Sequence, residues 1–287
     1  MQIAAQRTKS ALYSGAPLAN PGKGSPFLKW AGGKTELLPE LESRVPKSFG
    51  AYWEAFIGGG ALFFRLAPVS AVISDANEEL INCYLAVRNN LDELITRLKK
   101  FPVNKEHFLK LRRIQPWELD DVGRAARLIY LNKTCFNGLY RVNQRGEFNV
   151  PFGDYKNPRV FDPEILEADS KALKKADVIC RDFRHLLYKA QPGDFIYFDP
   201  PYHPLSETSS FTSYSEAPFE EREQRALSQV FKALSERDCK VMLSNSDTPK
   251  IRSLYKAFNI NEVQVSRAIN CKGDGRGKIT ELIIRNY

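Results

Sequence analysis

The amino-acid sequence predicts an α/β protein built on a doubly wound, mostly parallel sheet. Apolar runs of strand length alternate with segments of helical spacing through most of the 287 residues, which is the pattern such a sheet produces. One strand-like run ends in three consecutive glycines and a later one ends in Asp-Pro-Pro-Tyr, so two runs stop in segments suited to ligand binding. With 43% hydrophobic residues, the chain can bury one substantial core or two smaller ones.

The first part of the chain alternates strands with helices. The predicted elements are a strand at 51–57, a glycine turn at 58–60, a helix at 61–66, a strand at 69–74 and a helix at 77–88. Because Asp75 directly follows the second strand, we expect its side chain at the carboxyl edge of the sheet.

The last part of the chain continues this alternation. The predicted elements are strands near 178–180, at 195–198 and at 240–243, a helix at 219–236, and β-rich runs at 260–265 and 279–285. A glycine-rich segment at 272–277 joins the two closing runs, so we expect them to form an antiparallel addition to the sheet.

Residues 91–160 break the alternation. The pattern there predicts helices at 91–101, 105–114 and 122–132, then a hairpin over 139–150 that turns at 144–146. We interpret 91–159 as a second domain inserted into an α/β domain that covers 26–90 and 160–287. Residues 1–25 are rich in Ala, Ser, Gly and Pro, which predicts a flexible tail.

The formal net charge of +8 is unevenly distributed. Residues 91–160 hold 14 Lys and Arg against eight Asp and Glu, and residues 1–34 hold five basic residues and no acidic one. A basic insert beside a more acidic core is typical of a surface that binds a polyanion. Ordinary solvated lysines produce the same charge, so composition leaves both interpretations open.

Other patterns disfavour several classes of protein. No apolar stretch reaches the length of a membrane span, and the five cysteines and three histidines are scattered without metal-ligand spacing. We therefore expect no membrane partner, no metal and a cytoplasmic, nucleoid-associated location. Gly33, Lys34 and Thr35 resemble the end of a phosphate-binding loop, but Leu28 stands where that motif requires glycine.

Asp199, Pro200, Pro201 and Tyr202 form the most informative segment, directly after the strand at 195–198. The Asp199 carboxylate and the Pro200 carbonyl can accept hydrogen bonds from an exocyclic amine, and Tyr202 can stack on a planar base. This combination suits transfer of a group to the amino nitrogen of a nucleobase. The alternative is a surface turn, because two prolines end a strand in any protein.

Three segments resemble, in their order, the Dam-type DNA adenine-N6 methyltransferases, the alpha group of the D12 class. They are FLKWAGGK at 27–34, EAFIGGG at 54–60 and DPPY at 199–202. The resemblance extends from about residue 26 to the end of the chain. It implies a Rossmann-like S-adenosylmethionine-dependent methyltransferase fold, with an inserted helical plus β-hairpin DNA-recognition domain. It also implies S-adenosylmethionine as the cofactor and double-stranded DNA as the partner.

The residues themselves offer groups that S-adenosylmethionine needs. The candidates are Lys34 for its carboxylate, Asp75 for its ribose hydroxyls, Phe56, Ile57 and Phe183 for its adenine, and the turn at Gly58 for close backbone approach. The resemblance implies cofactor contacts from Trp30, Lys34, Asp75 and Asp199. Two alternatives stay open: Asp75 as the N-cap of the helix at 77–88, and Trp30 as a core residue.

The segment at 135–153 is similar to the target-recognition hairpin of Dam-type enzymes that methylate GATC. The resemblance implies that an aromatic residue and an asparagine enter the duplex, an apolar residue and a proline contact the thymine methyl, an arginine reads guanine, and a lysine helps to read the first base pair. These residues are, in that order, Phe136, Asn137, Leu139, Pro151, Arg141 and Lys29, and Tyr155 is a further candidate DNA contact. The segment departs from the family pattern at two positions. Phe136 replaces a tyrosine, and Asp154 lies beside Tyr155 where relatives often have a basic residue.

Together these features predict a site-specific DNA methyltransferase that acts on N6 of adenine, at GATC, after flipping the base out of the duplex. The predicted catalytic residues are Asp199, Pro200 and Tyr202. The alternatives are methylation of RNA or of a protein amide nitrogen, and a DNA-binding regulator without catalysis. A cognate restriction endonuclease, not in direct contact, is a possible partner.

Overall fold

A seven-stranded sheet organises the computed structural model, which describes residues 24–143, 145–205, 219–266 and 278–287. Its strands are β1 Tyr52–Ala55, β2 Ala71–Asp75, β3 Ala176–Cys180, β4 Phe195–Phe198, β5 Lys240–Ser246, β6 Asn259–Ser266 and β7 Lys278–Arg285. All seven overlap predicted strands, and β4 has the predicted bounds. β5 continues three residues beyond its predicted end, through Ser244, Asn245 and Ser246.

The strand order is β3-β2-β1-β4-β5-β7-β6. The first five strands in this order are parallel, and β7 pairs antiparallel with both β5 and β6. This confirms the doubly wound sheet and its antiparallel addition. The segment predicted to join β6 to β7, at 272–277, lies outside the described residues.

Helices cover both faces of the sheet. In the described part of the chain they are α1 Leu38–Glu42, α2 Ala61–Leu66, α3 Glu78–Asn89, α4 Leu91–Lys99, α5 Lys105–Arg113, α6 Asp121–Thr134, α7 Pro163–Leu173, α8 Leu186–Lys189, α9 Glu221–Ser235 and α10 Pro249–Leu254. Side chains on β4 alternate between two core clusters, because successive residues of a strand point to opposite faces. Phe195 and Tyr197 belong to one cluster, and Ile196 and Phe198 belong to the other.

Capping side chains explain where several helices begin. Asn77 accepts a hydrogen bond from the Leu80 N–H at the start of α3, and Asp120 accepts one from the Gly123 N–H at the start of α6. The N-cap of α3 is therefore Asn77, and the assignment of that role to Asp75 is wrong. Helices α1, α7, α8 and α10 were not predicted.

Residues 91–159 pack against the sheet domain through α6. The Asn82 side chain on α3 donates to the Asp121 carbonyl at 2.9 Å, and buried residues of α6 share one hydrophobic cluster with Ile73 on β2. The hairpin pairs Val142 with Phe148. Its turn falls as predicted around 145–146, while Gln144 lies outside the described residues. The division into an inserted domain stays a prediction.

Two structural findings concern membrane spans and metal sites. Within the described ranges, no helix combines the length and apolar character required to cross a membrane. In the same ranges, no group of three or more His, Cys, Asp or Glu side chains is placed to hold a metal ion. Residues 1–23, most of the predicted tail, lie outside the description.

Candidate active site

The candidate active site lies where the strand order reverses. β1 and β4 are parallel neighbours with Ala55 opposite Phe198, so the glycine turn and the Asp-Pro-Pro-Tyr segment leave the sheet at the same edge. β2 lies on the other side of β1 and ends there at Asp75. Doubly wound sheets bind their ligands at this edge, beside the reversal.

The glycine turn lies against the first sequence motif. Gly58 has a φ of 48°, and a Cβ at this position would lie only 2.9 Å from Cδ1 of Trp30. The Trp30 ring stacks on Tyr140, with ring centroids 5.2 Å apart and an interplanar angle of 19°. Trp30 packs against the core and keeps part of its surface exposed, so a core role and a ligand contact are compatible.

Asp199 is the centre of the polar cluster. Its Oδ1 lies 2.8 Å from Nζ of Lys34 and accepts a 2.8 Å hydrogen bond from Oγ of Ser244. Burial raises the pKa of Asp199, whereas the Lys34 ammonium and the Ser244 hydroxyl favour its ionised form. Two donors therefore hold a carboxylate at the end of β4.

Lys34 connects the polar cluster to the aromatic residue of the motif. Its side chain is only 7% exposed, and its Nζ donates to the Gly32 carbonyl at 2.5 Å. The same ammonium lies 4.4 Å from the ring centroid of Tyr202. The Tyr202 hydroxyl donates to Oε2 of Glu281 on β7 at 2.8 Å. The structure thus brings three of the predicted site residues, Lys34, Asp199 and Tyr202, into one cluster and adds Glu281.

A buried amide pair supports the prolines of the segment. Gln224 on α9 donates from Nε2 to the Pro201 carbonyl at 2.9 Å, and Asn245 on β5 donates to Oε1 of Gln224 at 3.1 Å. Asn245 also accepts a hydrogen bond from the His203 N–H at 3.1 Å. Gln224, Asn245 and Ser244 are not among the residues predicted from the sequence. One sequence feature could have indicated them: polar residues continue the buried strand β5, and a buried polar side chain needs a hydrogen-bond partner.

Asp75 is held by backbone donors on both of its oxygens. Its Oδ1 accepts a hydrogen bond from the Asn77 N–H at 3.0 Å, and its Oδ2 accepts one from the Gly58 N–H at 3.3 Å. Burial raises the pKa of Asp75, and these two donors oppose that rise. The carboxylate is thereby fixed beside the glycine turn, which is where a ribose-binding acceptor is expected.

The three apolar residues predicted to hold adenine, Phe56, Ile57 and Phe183, do not form one wall. The rings of Phe56 and Phe183 lie 5.3 Å apart with an interplanar angle of 30°, and Phe219 contacts both. Ile57 instead belongs to the hydrophobic cluster on the opposite face of the sheet. Phe56 and Phe183 are therefore neighbours, and Ile57 is separated from them.

The predicted DNA-reading side chains lie at the base of the hairpin. Phe136 is 52% exposed, and Asn137 and Pro151 are exposed as well. Asn137 has a φ of 55°. The Phe136 N–H donates to the Pro151 carbonyl at 2.9 Å. Leu139 is half-buried. Arg141 is exposed, and its Nε donates to Oδ1 of Asn149 at 2.7 Å.

One buried asparagine fastens the first motif to this hairpin. Asn132 accepts a hydrogen bond from the Lys29 N–H at 2.8 Å and donates to the Lys29 and Gly138 carbonyls at 2.7 and 2.9 Å. The Lys29 ammonium lies 5.1 Å from the ring centroid of Tyr155. Lys29, Tyr155 and the hairpin base are thus adjacent, and Asn132, which was not predicted, fixes their relation.

The fold is that of a Rossmann-like methyltransferase, and the candidate site lies at the reversal of its sheet. The chain belongs to the D12 class N6 adenine-specific DNA methyltransferase family, which matches residues 30–269. It is an adenine-specific DNA methyltransferase, and the predicted family, fold class and enzyme class are confirmed. The match favours DNA over RNA or protein as the substrate and favours an enzyme over an inactive regulator.

Three relatives show how far the similarity extends. The Type II methyltransferase M1.LlaDCHI of Lactococcus lactis subsp. cremoris is 47% identical, with 91% of this chain and 95% of that protein covered. The Type II methyltransferase M.MjaIII of Methanocaldococcus jannaschii is 44% identical, with 91% and 99% covered. The DNA adenine methylase of Escherichia coli K12 is 35% identical, with 91% and 95% covered.

Proposed function

We propose that this enzyme methylates N6 of adenine within GATC in double-stranded DNA, after flipping the target base out of the helix. One observation carries the proposal: residues 29–34 contact both halves of the site. Lys29 lies against Gly138 and Tyr155, while Lys34 pairs with Asp199. The surface suited to reading DNA is therefore connected to the amino-group site by six residues of chain.

The residues at the sheet edge fit S-adenosylmethionine, the donor that the family implies. The Asp75 carboxylate is held by two backbone N–H groups, one of them from Gly58, and Trp30 packs against that glycine. When bound, S-adenosylmethionine supplies an electrophilic methyl group. The residues that would hold it are Trp30, Lys34, Phe56, Gly58, Asp75, Phe183 and Asp199.

The chain's own groups orient the adenine. Asp199 and the Pro200 carbonyl accept hydrogen bonds from the N6 amino group, and Tyr202 stacks on the base. These contacts direct the nitrogen lone pair toward the methyl donor, so the acceleration comes from positioning and electrostatics. No covalent nucleophile is required.

The hairpin base supplies the contacts with the duplex. Phe136 and Asn137 are exposed side by side and enter the gap that the flipped base leaves. Leu139 and Pro151 contact the thymine methyl. Arg141 reads guanine through its terminal nitrogens, because its Nε is occupied by Asn149. Lys29 and Tyr155 complete this surface.

The same proposal assigns the domains and the setting. Residues 91–159 form the target-recognition domain, and 26–90 together with 160–287 form the catalytic domain. The enzyme acts on the nucleoid in the cytoplasm. Because two relatives carry the Type II name, a restriction endonuclease of matching specificity is the associated enzyme to look for.

Methyl transfer to paired duplexes tests the proposed function. Labelled S-adenosylmethionine is offered with two DNA duplexes that differ only in GATC against GTAC, and protection from GATC-cutting nucleases is scored. We expect transfer to the GATC duplex alone. Equal transfer to both duplexes, or to neither, would contradict the GATC assignment.

A further inference from the structure

The two oxygens of the Asp199 carboxylate are not equivalent. Both Lys34 and Ser244 bond to Oδ1, each at 2.8 Å. Among the residues that the structure describes, none forms a hydrogen bond with Oδ2. A carboxylate with one saturated oxygen presents the other as its acceptor, and the Asp199 side chain is 19% exposed. The free oxygen is thus available to a substrate.

Ser244 is itself firmly placed. It is fully buried on β5, the parallel neighbour of β4, and its Oγ lies 2.9 Å from the hydroxyl of Tyr197, which is 1% exposed. A serine hydroxyl has one proton, and here that proton points to Asp199. Two neighbouring strands therefore define the direction of this hydrogen bond.

We propose that Ser244 is a positioning residue that holds Oδ1 of Asp199 together with Lys34, so that Oδ2 alone accepts the adenine amino group. This proposal rests on the proposed function, since it names the atom that binds the substrate. Without the Ser244 hydroxyl, the carboxylate would keep one fixed contact and could rotate about it. The amino group would then meet the acceptor in fewer reactive orientations.

The electrostatic surroundings of Asp199 supply a second readout. Its titratable neighbours among the described residues are Lys34 from the first motif, Tyr52 and Glu54 on β1, Tyr197 on β4, Tyr202 after β4 and Glu281 on β7. Burial raises the pKa of Asp199, and the hydroxyl of Ser244 opposes that rise. Removing this hydroxyl raises the pKa further. Because the ionised form is the acceptor, the acidic limb of the kcat profile moves to higher pH.

The test is the Ser244→Ala variant of the full chain, assayed with a GATC duplex and S-adenosylmethionine. We expect kcat to fall about tenfold or more, as for loss of one hydrogen bond to a charged group. The KM for either substrate should stay within about twofold, since the hydroxyl acts on orientation and not on binding. The acidic limb should move to higher pH.

Ser246→Ala is the matched control. It removes another buried serine hydroxyl two residues along the same strand, one that donates to the His203 carbonyl and not to Asp199. Its acidic limb should coincide with that of the wild type. An identical shift in both variants would overturn the proposal, because it would show a general loosening of β5.

Ser244→Cys covers the case in which the alanine variant fails to fold. The thiol occupies similar space and donates only weakly, so kcat should fall and the acidic limb should move in the same direction. If the folded Ser244→Cys variant has the kcat and the pH profile of the wild type, the positioning role is refuted. Failure of the wild-type enzyme to methylate adenine would refute the proposed function instead, so the two failures are distinguishable.

Discussion

Two aspartates at opposite ends of β4 have contrasting environments. Asp199, after the strand, carries Lys34 and Ser244 on one oxygen. Asp194, before the strand, accepts hydrogen bonds from the Ala51 and Gln191 N–H groups and from the Trp53 indole. The first lies at the edge where ligands bind, and the second joins the amino ends of neighbouring strands. Similar carboxylate chemistry thus lies in the candidate active site at one end of β4 and joins strands at the other.

Exchanging each aspartate for alanine should separate these roles. Asp199→Ala should abolish methyl transfer, because the amino group loses its charged acceptor, while the fold is retained. Asp194→Ala should lower the free energy of unfolding by about 3 kcal/mol, because the buried Trp53 indole and two partly buried backbone N–H groups lose their partner. Single-turnover methylation and urea unfolding of both variants provide the measurements.

The wild-type chain is the reference for both measurements. Near-normal turnover by Asp199→Ala would remove Asp199 from the mechanism. If Asp194→Ala unfolds with the same midpoint urea concentration as the wild type, its three hydrogen bonds contribute nothing net to stability.

At the residue scale, the sequence was informative where a motif carries the chemistry. Lys34, Asp199 and Tyr202 were predicted from short segments, and the structure places them in one cluster. Ser244 and Asn132 were missed because each is an ordinary polar residue until the fold supplies its partner. Asn132 contacts Lys29, which is 103 residues distant in sequence. Local spacing contains no trace of such a pair.

At the element scale, periodicity predicted most strands and helices, and the errors have identifiable causes. α7 was missed although Asp162 caps it and Pro163 occupies its first turn, a combination that favours helix initiation. β5 was predicted too short because Ser244, Asn245 and Ser246 are polar. They extend a buried strand since hydrogen bonds satisfy their side chains. A pattern of apolar residues cannot show that polar side chains are buried when they are hydrogen-bonded.

The connection between α6 and the hairpin yields the next prediction. Asn132→Ala should destabilise the protein by about 3 kcal/mol, because the Lys29 N–H and the Lys29 and Gly138 carbonyls lose buried partners. The hairpin base should also shift relative to Lys29, which lowers discrimination between GATC and duplexes with one altered base pair. Urea unfolding and relative kcat/KM values measure the two effects.

Asn89→Ala is the control for this variant. Asn89 is exposed at the end of α3, so its removal should change the free energy of unfolding by no more than about 0.5 kcal/mol. Equal stability of the Asn132 and Asn89 variants would show that Asn132 does not fasten the hairpin.

At the scale of the whole molecule, the sheet separates two edges. The carboxyl ends of β1, β2 and β4 carry the candidate site, and the hairpin joins that edge through Trp30 and Tyr140. The amino ends, where Lys240 begins β5, form the opposite edge. Net charge and composition left a polyanion surface and ordinary solvated lysines equally open. The parallel strand directions add which basic residues lie at the same edge. The DNA should therefore contact one edge of the molecule and leave the other in solvent.

Salt dependence of DNA binding tests this polarity. Each phosphate contact releases a condensed counterion, so the logarithm of the association constant falls with the logarithm of salt concentration by about 0.9 per contact. Replacing Arg145 and Lys156, which are exposed on and beside the hairpin and are not assigned to bases, with Gln should reduce the steepness of this dependence on a GATC duplex by up to about two. Replacing Lys232 and Lys240, exposed on α9 and at the amino edge, should leave it unchanged. An equal reduction in both double variants would mean that the DNA is attracted by net charge alone, whereas a reduction confined to the first would place it against the hairpin edge.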